Sequence, residues 1–88
     1  MKLIITITSD DDCEPVSQGL ISSGFRVTRI SSTGGFLRRG TSTLMVGVEK
    51  EKVEEALEVI RNSVSPVADP VMKRATIFVI NVEEFTQI

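Results

Sequence analysis

Thr33-Gly34-Gly35-Phe36-Leu37-Arg38-Arg39-Gly40 divides this chain. A strand-like run lies on each side of it. In residues 25–30, Phe25 and Val27 share one face while Arg26 and Thr28 share the other. In residues 41–48, Leu44, Val46 and Val48 alternate with Thr43, Met45 and Gly47. The stretch therefore joins two neighbouring strands, and the question becomes what lies beyond each of them. Before the first comes a helical pattern in which Cys13, Val16, Leu20 and Ile21 fall on one face. Asp11 or Asp12 is its expected cap, Pro15 is tolerated in its first turn, and Gly24 is its expected left-handed stop. Ahead of that, residues 2–8 form a strand with Ile4 and Thr6 on one side and Leu3, Ile5 and Ile7 on the other. Beyond the second strand, Val53, Ala56, Leu57 and Ile60 repeat at helical spacing within residues 50–62. Ser65-Pro66 and Asp69-Pro70 then mark a connector over 63–73. Residues 75–82 form a last strand, and 83–88 a short tail with room for one turn of helix.

The order is β-α-β-β-α-β, the ferredoxin-like arrangement of the α+β class, as one domain over residues 1–88. A four-stranded antiparallel sheet carries two helices on one face. The other face still presents apolar residues from the first strand and from Ile77-Phe78-Val79-Ile80, so it is expected to be buried against further copies of the chain. Gly47 inside a strand implies a bulge or the close approach of another group.

Composition narrows the chemistry. The chain has 88 residues, 12 acids, 10 bases and no histidine, for a net charge of −2. It has one cysteine, Cys13, which excludes an internal disulfide and a cysteine-based zinc site. Only carboxylates, Cys13 and methionines are left as metal ligands, so no metal or cofactor is expected. Without histidine, paired strand-end acids or an activated nucleophile, an enzyme is not expected either. Residues 15–48 contain no acid, yet hold Arg26, Arg29, Arg38 and Arg39. A local positive field in an acidic chain favours a small anion over a nucleic-acid backbone. The dividing stretch suits the same ligand class: its glycines bring backbone amides close, Phe36 offers an aromatic face, and the arginines offer fixed charge. That chemistry fits a nucleotide. The same residues also fit a plain turn with Phe36 tucked into the core or a subunit contact, and arginines that are solvated or paired with acids elsewhere. No apolar run approaches the ~20 residues of a membrane helix, and the start lacks signal-peptide anatomy, so the expected location is cytoplasmic.

Taken together, Met1-Lys2-Leu3-Ile4-Ile5, Phe25-Arg26-Val27-Thr28, Thr33-Gly34-Gly35-Phe36-Leu37-Arg38, Val46-Gly47-Val48, Ala75-Thr76-Ile77-Phe78-Val79 and Phe85-Thr86-Gln87 resemble a known group. These are the PII-like cyclic di-AMP receptor proteins of bacteria, also called PstA or DarA. The resemblance covers nearly the whole length. It implies a homotrimeric signal-transduction protein that binds a cyclic dinucleotide at subunit boundaries, with a protein partner not identified by the sequence. Carried over, it implies that Arg26 and Thr28 meet the phosphate and sugar side of the ligand. Gly35, Phe36 and Leu37 would enclose one adenine, Gly47 would leave room for close approach, and Phe78 and Gln87 would lie near the base. The family often has asparagine at the positions of Gly24 and Thr41, of which Thr41 retains a hydroxyl that can bond the ligand. The connector at 63–73 is also much shorter than in the better-known members. A PII- or CutA-like trimeric interaction module without nucleotide binding is the alternative reading.

Overall fold

The computed structural model describes residues 1–31, 40–64, 75–84 and 86–88. In chain order these form β1 (Lys2–Ser9), α1 (Asp10–Ser22), β2 (Val27–Ser31), β3 (Thr41–Val48), a 3-10 turn (Lys50–Lys52), α2 (Val53–Ser63) and β4 (Ala75–Asn81). The strands lie in the order β2-β3-β1-β4, with antiparallel pairing throughout. This is the α+β, ferredoxin-like arrangement that the alternation and helical spacing imply.

The strand faces separate as the period of two requires. Ile4 and Thr6 of β1 and Leu44 and Val46 of β3 are fully buried beneath the helices. Cys13, Val16 and Leu20 of α1 and Ala56 and Ile60 of α2 complete the core. Each large apolar side chain buried here contributes roughly 1.5–3 kcal/mol relative to exposure. Ile21 does not belong to this group: it is 52% exposed, because one residue past Leu20 at the helix end turns it off the buried stripe. The cap differs too. Ser9, not an aspartate, accepts from the Asp12 amide at 3.3 Å. Asp10, Asp11 and Asp12 fill the first turn, where the helix dipole favours acids.

α1 and α2 approach closely at Gly19. A Cβ there would stand 2.6 Å from Ser63 Oγ and 3.2 Å from Val59 Cγ1. Ser63 in turn donates to the Val59 carbonyl at 2.7 Å. At the opposite end of α1 the Asp10 amide donates to the Gly40 carbonyl at 2.8 Å. The Ser42 hydroxyl donates to the Asp10 carboxylate. These bonds fasten the start of β3 to the start of α1, and Gly40 reaches them with φ +83°.

β2 starts at Val27, later than the alternation alone suggests. The Phe25 amide donates to the Leu20 carbonyl at 3.0 Å, closing the end of α1, and so cannot join the sheet. No bulge interrupts β3 at Gly47, which pairs in register with Leu3. The neighbour that comes close is Met1, whose Cε lies 3.1 Å from where a Cβ would be. The second helix opens with the 3-10 turn before becoming α-helical at Val53. The described tail residues after Asn81 contain no helix, contrary to the turn expected there.

Candidate ligand-binding site

The end of α1 turns through Gly24, whose φ of +91° is a conformation that glycine adopts without strain. The chain then passes Phe25 and Arg26 into β2. Across from it, β3 ends at Gly47 and Val48, and the chain continues through Glu49 to the first turn of α2. These segments enclose a cleft of about 430 Å³, lined by residues that include Met1, Gly24, Arg26, Gly47, Lys52 and Glu55. Arg26 is exposed and, among the described residues, has no ion pair. Arg29 behaves otherwise: it lies 3.8 Å from Glu14, so the solvated-pair reading holds for it. Lys52 Nζ stands 3.3 Å from Glu55 Oε2, with both side chains more than half exposed.

On the sheet face away from the helices, register pairs Thr28 with Met45, Met45 with Ile5, and Ile5 with Phe78. That row starts at one edge strand and ends at the other. Three strand spacings separate its ends, about 14 Å. Thr28 is exposed, and Phe78 is 51% exposed. Thr41 pairs with Ser9 at the far end of β3, about 20 Å from Gly47 along the strand. Gln87 is exposed in the tail. Of the residues singled out from the sequence, Arg26 and Gly47 thus come together in one cleft. Thr28, Thr41, Phe78 and Gln87 are not among the lining residues of that cleft within one chain, although Thr28 shares the open face of the sheet with Met45 and Gly47. Gly35, Phe36 and Leu37 lie outside the described residues.

A family model described as cyclic-di-AMP receptor matches residues 1–74. The chain belongs to the cyclic-di-AMP receptor family. Its fold is shared by a functionally unknown protein from Pediococcus pentosaceus ATCC 25745, known from a crystal structure. The two are 35% identical, with a TM-score of 0.77, covering 99% of this chain and 96% of that one.

For a member of the cyclic-di-AMP receptor family, the cleft adds residues that the sequence does not flag. These are Glu49, Lys52 and Glu55; on helical spacing Glu55 falls on the wet side of the second helix, the ordinary place for a charge. The available signal is topological: α2 begins a few residues after Gly47, so its first turn must stand beside whatever Gly47 faces. Met1 is likewise placed by the pairing of β1 with β3, and its carbonyl accepts from the Val82 amide at 3.0 Å. Among the described residues no group of three or more His, Cys, Asp or Glu side chains is arranged to hold a metal. No helix among them is long and apolar enough to cross a membrane.

Proposed function

We propose that this chain is a non-enzymatic cytoplasmic sensor that binds cyclic di-AMP, or a related adenine nucleotide, at the subunit boundaries of a homotrimer. The observation that carries the proposal is Arg26, free of any carboxylate partner among the described residues, lining an open cleft together with Gly47. A guanidinium in that setting is available to bond a phosphate, and Gly47 lets a ligand lie against the strand where the flexible Met1 side chain now reaches. Family membership names the ligand class.

The boundary location rests on distance. Thr28 and Phe78 stand on opposite edges of one sheet, too far apart to clasp a single base and its adjoining phosphate. They serve one ligand when they come from different copies. Phe78 at 51% and Ile80 at 46% exposure, beside the half-buried Leu3 and Ile5, give a second copy an apolar surface to cover.

Calorimetric titration with cyclic di-AMP, using ATP and cyclic di-GMP as controls, tests the reading. The expected result is selective binding of cyclic di-AMP near one ligand per chain. Arg26→Ala should weaken that binding at least about tenfold, the scale of a lost charge-assisted hydrogen bond. If none of the three ligands binds, the receptor reading is overturned, and a trimeric protein-interaction module takes its place.

A further inference from the structure

The cleft contains more charge than Arg26 alone. Its lining includes Arg26 and Lys52 on the one hand, Glu49 and Glu55 on the other. A phosphate approaching Arg26 would therefore enter a region whose side-chain charges cancel. Two carboxylates would oppose it unless a second cation turns toward it. Lys52 is that cation. It lines the same cleft from the N-cap of α2, at the positive end of the helix dipole.

Its present partner is weak competition. The Lys52–Glu55 pair spans 3.3 Å, with side-chain exposures of 61% and 51%. Exposed pairs of this kind contribute little and exchange readily with other partners. Arg26 and Lys52 line the same cleft, so a ligand with two phosphodiester charges finds a cation there for each.

Building on the receptor reading above, we propose that Lys52 is a ligand-contacting specificity residue. It leaves Glu55 for a phosphodiester oxygen of a cyclic dinucleotide whose other phosphate meets Arg26. Glu55 holds the ammonium in place until the ligand arrives and competes with the ligand for it.

Calorimetry with cyclic di-AMP on four variants tests this, with thermal melts to establish that each is folded. Lys52→Ala should weaken binding about tenfold, as expected for one charge-assisted hydrogen bond. Lys52→Arg should retain most of the affinity, and Glu55→Gln should tighten binding severalfold by releasing the lysine. Lys50→Ala removes the same charge from an exposed residue outside the cleft lining, and should leave affinity unchanged. If the wild type binds and Lys52→Ala matches it, the inference fails while the receptor reading stands. Equal losses in Lys52→Ala and Lys50→Ala would reduce Lys52 to a share of the general field and also overturn it. A wild type that does not bind overturns both.

Discussion

Thr6 carries a hydroxyl into the layer between sheet and helices. The residue is fully buried, and its Oγ1 finds no hydrogen-bond partner among the described residues. A buried polar atom left unpaired costs its desolvation free energy. Valine has nearly the same shape without that cost. Thr6→Val should therefore raise unfolding stability by about 1 kcal/mol, read as a higher urea midpoint at unchanged slope; a lower midpoint would reveal a bond that the hydroxyl makes. Side-chain direction at this scale is legible from sequence. Alternation places Thr28, Met45 and Gly47 on the open face and Ile4 and Thr6 on the covered one. Ion-pair partners are not legible. Alternation puts Arg29 on the helix side with Val27 and Arg26 on the open side with Thr28, but it does not say that Arg29 reaches Glu14, which follows from β2 running beside α1. The cap expected at Asp11 or Asp12 is instead Ser9, because the helix starts at Asp10 and the aspartates fall inside its first turn.

Elements follow the hydrophobic period closely, with departures where another bond competes. β3 spans the same residues that its alternation suggests, since both of its neighbours pair along it. β2 loses Phe25 to the end of α1, a competition that no strand propensity records. The contact between the helices turns on Gly19, an unremarkable residue in the sequence. Its missing side chain is what lets α1 lie against Val59 and Ser63 of α2. Gly19→Val should displace both neighbours and destabilise the fold by about 1–3 kcal/mol, the usual cost of overpacking. Denaturant unfolding reads this directly. An unchanged midpoint would mean that the helices separate without penalty.

At the scale of the whole molecule, the sheet has one face clothed by helices and one that is not. β4 is the extreme case: Ile77, Phe78, Val79 and Ile80 are each between 36% and 51% exposed. The helices also leave the inward side of this edge strand uncovered, a shortfall that a continuous apolar run in a sequence can suggest but not locate. Phe78→Asp should give a monomer by light scattering, where the wild type should be a trimer. It should lose cyclic di-AMP binding at the same time, because the boundary pocket would lack its second wall. A monomeric variant that binds as tightly as the wild type would place the whole site within one chain.

The strand order also sets a schedule. β1 is synthesised before the other strands and ends up in the middle, bonded on one side to β3 and on the other to β4. Lys2 lies opposite Asn81, and their side chains are hydrogen-bonded. The ribosome must therefore deliver the chain through Asn81 before the central strand has both of its neighbours. Until then β1 can pair with β3 but keeps its other edge open, and an unpaired apolar edge invites wrong partners. A chain that stops in the connector before β4 is expected to be more prone to aggregation than the full chain.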